Sequence, residues 1–411
     1  MPQEDYVIWR RPRHHMDVEN PNEHVQWVEL FFDLIHVVTI FILGNYLSDH
    51  LDLQGFLVFS GLFLAVFFAW ADSSIYNSLY ISTDVPHRAV MALQIVTMMV
   101  IAAAIPAVGA GGWPYFALGY ALNRALTGWL YWRARHVGAG GNRLALEQGR
   151  NFLALAALFA VSALLPRPLA YWTFGLGVVL VQVQYVAPRL GTLRFERFAP
   201  RLGHLSERFA LLMLILLGEG FFKLVVTLAD KGIDKVGPGT LINLVIGGLS
   251  LFALAWIYFD AVGNAPPRSN ERSVSLRYWF AHIAAMWGAV LIGVALAGEV
   301  YVGLWEPFPS GYAVLGTIGL GVFLVSIGVL QTQIEGRETV RRHYSGGVRL
   351  FGIATALLVL AVHPFVPAVV GNLGWGLALF SQIAVPLRRA IAERHEQREG
   401  GSERRRSRRR D

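Results

Sequence analysis

Twelve apolar runs, each close to the length needed to cross a bilayer, dominate this chain of 411 residues. A hydrocarbon layer about 30 Å thick takes about 20 mostly apolar residues per helix. Such runs fall near residues 25–47, 56–76, 89–109, 115–132, 151–166, 169–187, 209–228, 240–261, 278–298, 312–331, 350–366 and 370–387. Lipid offers backbone groups no hydrogen-bond partners, so apolar stretches this long are expected as helices. The expected fold is all-α: a polytopic membrane bundle of about 12 transmembrane helices. Composition agrees, because 55% of residues are hydrophobic and only 15% are charged, against about 25% charged in an ordinary soluble domain. Cysteine is absent, which excludes disulfides, thiolate metal sites and a cysteine nucleophile. Residues 1–24 are polar and lack the apolar core of a cleavable signal.

The basic residues fix an expected orientation. With the N-terminus in the cytoplasm, the inward-facing segments hold 30 of the 35 Lys and Arg residues. The opposite loops hold three, Arg167, Lys231 and Lys235, and two more, Arg124 and Lys223, lie within spans. That asymmetry places both termini in the cytoplasm. Residues 388–411 alone contribute +5 of the net charge of +7. This tail reads as a disordered basic segment able to contact anionic lipid, and the nearly neutral remainder argues against nucleic acid as a partner.

An internal repeat is visible. His24 to Phe31 recurs loosely as Leu202 to Phe209, with Glu29 matched to Glu207. Ala69-Trp70-Ala71-Asp72 has a counterpart in Ala255-Trp256 and Asp260, and Tyr185 to Arg189 resembles Ile383 to Arg388. Six spans per half make two parallel six-helix repeats, related by an axis along the membrane normal. The expected divisions are a cytoplasmic segment 1–24, a first repeat 25–190, a second repeat 204–387 and the tail 388–411.

Charges inside spans are costly, about 2.5–3.5 kcal/mol each on insertion scales, so each needs a partner or a role. One layer is expected at the cytoplasmic mouth: Glu29, Asp33, Asp72, His87, Arg88, Glu207, Arg208, Asp260 and His282. Plain structural partnerships there would be Glu29 with Arg88, or Glu207 with Arg277. A deeper layer holds Glu219, Lys223, Arg124 and His36 as candidates for a substrate or ion pathway. In it Glu219 pairs with Lys223 one turn on, or exchanges between Lys223 and Arg124.

The opening Trp27-Val28-Glu29-Leu30-Phe31-Phe32-Asp33-Leu34 resembles the start of the bacterial low temperature requirement A family. His204-Leu205-Ser206-Glu207-Arg208 with Leu217-Gly218-Glu219, then Trp256 to Asp260 and His282, are similar to later motifs of that family. The resemblance covers about residues 24–390 and implies a multi-pass protein of the bacterial cytoplasmic membrane. His36 stands where the family usually has Phe, and the acidic run after the second span is reduced to Ser82-Thr83-Asp84.

The family name describes a growth phenotype and not a chemistry, so three functional classes stay open. An ion-coupled transporter for a small molecule or ion would use the deeper charges. An intramembrane enzyme acting on an isoprenoid or lipid diphosphate would hold Mg at Glu29, Asp33, Asp72 and Asp260, oxygen ligands of the kind that ion takes. A non-catalytic sensor or assembly protein would need neither.

Overall fold

The structure is a computed structural model and describes residues 8–19, 24–136, 141–186, 200–336 and 346–407, without the side chains of 141–142, 184–186 and 396–407. Twelve long α-helices are present among them. In chain order these are α1 (Trp27–Asp49), α2 (Leu53–Leu79), α3 (Val85–Ala104), α4 (Trp113–Arg133), α5 (Gly141–Ser162), α6 (Leu169–Val186) and α7 (Leu202–Lys231). They continue with α8 (Pro238–Ala261), α9 (Arg272–Tyr301), α10 (Ser310–Gln333), α11 (Gly346–Val362) and α12 (Ala368–Ser407). Ten of them are long and apolar enough to cross a membrane; α4 and α6 are not among the ten. Arg124, Asn123 and several Trp and Tyr residues lower the hydropathy of α4, and α6 is short.

Helix boundaries follow from local chemistry. Asp52 caps α2 by accepting from the Gly55 N–H at 2.6 Å, and Asp84 caps α3 through the His87 N–H. Proline in the first turn of α3, α4 and α8 suits a position whose N–H has no helical partner. Gly232, with φ of 81°, follows the last residue of α7 in the left-handed conformation that glycine reaches without strain.

The helices run beyond the apolar runs because their polar ends are still helical. The second span, expected at 56–76, is the helix Leu53–Leu79. Asp72, expected to end that span, therefore lies about two turns inside α2. Likewise α5 begins before its apolar stretch, with Arg143 paired to Glu147 one turn on at 2.7 Å. The backbone of α12 stays helical to Ser407, into the segment expected to be disordered.

Side-chain exposure is arranged for lipid. On α3, Leu93, Val96, Met99 and Val100 face outward while His87, Gln94 and Thr97 are buried. A soluble helix does the reverse, and this pattern supports a membrane surround.

The chain divides into two compact units. The first comprises Met1–Glu219 and Asn264–Ile283, the second Gly220–Gly263 and Ala284–Asp411. These divisions cut through α7 and α9, unlike the expected repeat boundaries at 190 and 204. In the first unit α4 packs on α3 and α5, and glycines permit the second of these contacts. A Cβ on Gly149 would stand 3.1 Å from the Gly128 carbonyl oxygen. A two-residue strand, β1 (Arg13–His14), also pairs antiparallel with β2 (Tyr80–Ile81), drawing the N-terminal segment onto the end of α2.

Candidate functional site

The first unit buries a network of charges contributed by α1, α2, α4 and α7. Glu29 and Asp33 are one turn apart on α1 and so share a face. Both meet Arg208 of α7: Nη1 donates to Glu29 Oε2 at 3.0 Å, and Nη2 donates to Asp33 Oδ1. The indole N–H of Trp70 also donates to Asp33 Oδ1 at 2.6 Å, and the Arg208 guanidinium lies 5.6 Å from the Trp70 ring centre. His204, one turn before Arg208, places Nε2 3.0 Å from Glu29 Oε2 and Nδ1 2.9 Å from Ser78 Oγ.

A second pair joins α2 to α4. Arg124 Nη1 donates to Asp72 Oδ2 at 2.6 Å, and Nη2 donates to the Ala69 carbonyl at 2.9 Å and to Asn123 Oδ1 at 2.6 Å. Asn123 passes the chain to Thr97 of α3 at 2.8 Å, while Gln94 of α3 donates to Thr127 and Ser73. Arg124 therefore answers Asp72 and is not the countercharge of Glu219. The expected mouth and deeper layers meet at this pair.

His36 sits in the same interior, within electrostatic reach of both Arg124 and Arg208. Its Nδ1 donates to the Phe32 carbonyl at 2.8 Å, which leaves Nε2 as a buried acceptor with no hydrogen-bond partner. Asp33 Oδ2, Arg124 Nε and Arg208 Nε are likewise buried without one. Glu29, Asp33, His36, Asp72, Arg124, His204 and Arg208 are all nearly or completely inaccessible. Three carboxylates share the network with two guanidiniums and the His204 imidazole. In a medium of low dielectric such a cluster responds strongly to the gain or loss of a single proton.

The other sequence candidates lie around this network or away from it. His87 is buried within reach of Glu29, and His282 stacks on Phe209 with ring centres 4.4 Å apart. Arg88 lies 5.9 Å from the Trp27 ring centre, so the expected Glu29–Arg88 pair is replaced by Glu29–Arg208. Glu207, partly exposed, faces His24 at 3.9 Å where Arg277 was expected. Glu219 is half-buried, about 16 Å along α7 from Arg208 at 1.5 Å per residue. Lys223 and Asp260 belong to the second unit, and Asp260 Oδ2 accepts from the Trp256 indole at 2.8 Å. Among the described residues no group of three or more His, Asp or Glu is placed to hold a metal ion. The expected Mg ligands are instead engaged with Arg208, Arg124 and Trp256.

The sequence reading missed a further anchor at the membrane edge. Asp84 accepts from the Arg10 N–H at 2.9 Å and from Arg133, which also donates to the Arg10 carbonyl at 2.6 Å. Burial pushes the Asp84 carboxyl up, but these donors outweigh it and hold it below the usual carboxylate range. His14, in the adjoining strand, is shifted down to about 4 by burial and by its neighbour His15. In the sequence this anchor shows only as the basic run Arg10-Arg11-Pro12-Arg13-His14-His15.

A largely apolar cavity of about 320 Å³ opens elsewhere in this unit, lined by Tyr46, Gln54, Trp113, Tyr171 and Phe174 among others. None of the network's charged residues lines it.

The motifs that contribute Glu29, Asp33, Arg208 and His282 lie within a wider match. The family profile of the bacterial low temperature requirement A protein (LtrA) matches residues 24–384. An uncharacterized protein of Rhizobium meliloti (strain 1021) is 24% identical over 379 residues, covering 88% of this chain and 88% of its own length. With a profile match running from before α1 into α12, this chain belongs to the bacterial low temperature requirement A family.

Proposed function

We propose that this multi-pass protein is a proton- or cation-coupled carrier of a small molecule or ion in the bacterial cytoplasmic membrane. Its twelve helices would all span, with both termini cytoplasmic as the distribution of basic residues requires. The observation that carries this reading is the pair of open acceptors, Asp33 Oδ2 and His36 Nε2, buried within a network of three carboxylates, two guanidiniums and the His204 imidazole.

A network serving packing alone is best closed and neutral, because each uncompensated charge in a low-dielectric interior is costly. Here the network is not closed, because His36 Nε2 and Asp33 Oδ2 are buried acceptors open to a proton or a monovalent cation. Ionisable groups inside membrane bundles characteristically mark ion and proton paths. Parallel repeats of the kind seen in some carriers add support: the matched motifs cross-pair, His204 with Glu29 and His24 with Glu207. Proton entry would let Asp33 or His36 loosen Arg208, and a cargo bearing an anionic group would be drawn to the freed guanidinium.

The test uses sealed vesicles containing the purified protein, incubated with a bacterial small-molecule extract under an imposed pH gradient. Mass spectrometry of the vesicle contents should find a solute enriched over protein-free vesicles only while the gradient lasts. Contents that match protein-free vesicles with and without the gradient would remove the carrier reading.

A further inference from the structure

The second unit contains a carboxylate that the charge patterning overlooked. Glu299, at the C-terminal end of α9, is completely buried. No cation lies within ion-pair distance of it among the described residues. Two amides surround it, Asn243 of α8 and Asn372 of α12, both buried.

The hydrogen-bond directions around these three side chains are constrained. Asn243 Nδ2 donates to the backbone carbonyls of Glu299 at 2.9 Å and Val302 at 3.3 Å, which fixes Asn243 Oδ1 as an acceptor. Asn372 Nδ2 donates to that oxygen at 2.8 Å. The Asn372 oxygen then stands 2.6 Å from Glu299 Oε1 and 3.2 Å from Oε2. Two acceptors at 2.6 Å repel unless one bears hydrogen, whereas this is an ordinary length for a hydroxyl donating to an oxygen.

Turning the Asn372 amide does not remove the conflict. Its nitrogen would then donate to the carboxylate and to the Ala368 carbonyl at 3.1 Å, but its oxygen would meet Asn243 Oδ1 at 2.8 Å. Asn243 would have to turn as well, and its oxygen would face the Glu299 and Val302 carbonyls. The network thus has two consistent forms. One has a proton on Glu299 and Asn243 bound to the end of α9; the other has an ionised Glu299, both amides reversed and that end released.

We propose that Glu299, Asn372 and Asn243 form a proton-binding site, loaded in this structure, whose discharge frees the C-terminal end of α9. On discharge the O–H bond of Glu299 breaks, its electron pair stays on the carboxylate, and the proton passes to water. The carrier reading supplies the use of such a site, since the positive-inside pattern puts this end of α9 on the outer face. A proton held here would be exchanged with the outside, but its presence on Glu299 stands without any transport.

The charged groups on the neighbouring elements are already engaged. Lys231 of α7 donates to the Val300 and Tyr301 carbonyls at 2.9 and 2.8 Å. The Glu306 carboxylate accepts from the Gly303 N–H at 3.1 Å. From α8 and α12 the groups facing Glu299 are the neutral amides of Asn243 and Asn372.

Infrared spectra of the full chain at neutral pH, in a maltoside detergent that has no carbonyl of its own, test the site. Wild type should show a deuterium-sensitive carboxylic acid band that Glu299→Gln lacks and Asn372→Leu displaces. Glu299→Gln should melt close to wild type, because its amide N–H replaces the acid O–H, while Glu299→Ala melts lower. Superimposable acid bands in wild type and Glu299→Gln overturn the proposal. So does a Glu299→Gln chain that fails to fold. Vesicles showing no solute movement alongside an intact Glu299 band would remove the carrier reading and leave the proton site standing.

Discussion

His204 Nε2 of α7 lies 3.0 Å from Glu29 Oε2 of α1. A second imidazole–carboxylate contact, His24 Nδ1 with Glu207 Oε2, lies at 3.9 Å. Glu29 is buried with Arg208 as a second partner, whereas Glu207 is partly exposed and His24 almost wholly so. The two carboxylates should therefore respond differently to the same change. Glu29→Gln should destabilise by about 3 kcal/mol or more, the cost of breaking a buried charge cluster. Glu207→Gln should cost less than about 1 kcal/mol, as exposed pairs do. Reversible unfolding of both variants in detergent, read on one scale, measures the difference.

Arg124 and Asp72 form a buried pair at 2.6 Å. Each single change, Asp72→Asn or Arg124→Gln, strands its partner, so both should be strongly destabilising. The double variant should recover part of the loss, with a coupling of about 0.5–3 kcal/mol. Additive losses in the double-mutant cycle would mean that the two charges act independently.

Acid should release the N-terminal segment in two stages. The folded His14 is shifted down to about 4, from about 6.5 when free. Between those values the released segment binds more protons, so docking is fully stable above about 6.5 and weakens as pH falls toward 4. Asp84, held below its usual range, keeps its hold on Arg133 and Arg10 until stronger acid protonates it. Hydrogen-exchange protection factors of residues 8–19, taken relative to the free-peptide rate at each pH, should fall through the first window in wild type and lose that dependence in His14→Phe. Protection factors that are flat from pH 7 to 4 in wild type would contradict the assignment.

In the second unit α9 and α10 cross at two glycines. A Cβ on Gly288 would come within 2.7 Å of the Gly319 carbonyl oxygen, and one on Gly319 within 2.7 Å of the Gly288 oxygen. Close backbone approach of this kind is how membrane helices pack without a hydrophobic driving force. Gly288→Ala should cost about 1–3 kcal/mol through overpacking. At Gly321, where an added Cβ meets nothing within 4 Å, the same change should be nearly neutral. Melting temperatures of the two variants decide it.

The sequence made the helices legible because an apolar run of span length has few other uses. Partnerships were less legible. Which face of α7 meets α1 depends on helix rotation and tilt, so Arg208 could not be assigned to Glu29 and Asp33 from hydropathy. Arg124 was read with Glu219 because Asp72 fell at the apparent end of its span; the polar end of α2 is helical too, which brings Asp72 level with Arg124. Glu299 lay one residue past the run at 278–298 and so looked like a loop residue. His204 was visible in the motif, but its partner Glu29 is 175 positions away in sequence, a separation no local pattern encodes.

The most direct test of the central claim follows protons rather than cargo. Vesicles with an entrapped pH dye and the wild-type protein should change internal pH when a bacterial small-molecule extract is added. Asp33→Asn, which removes one of the two carboxylates on Arg208 and keeps side-chain volume, should abolish that change in protein that elutes as folded wild type does. Undiminished proton movement in Asp33→Asn would contradict the claim that this network binds the coupling ion.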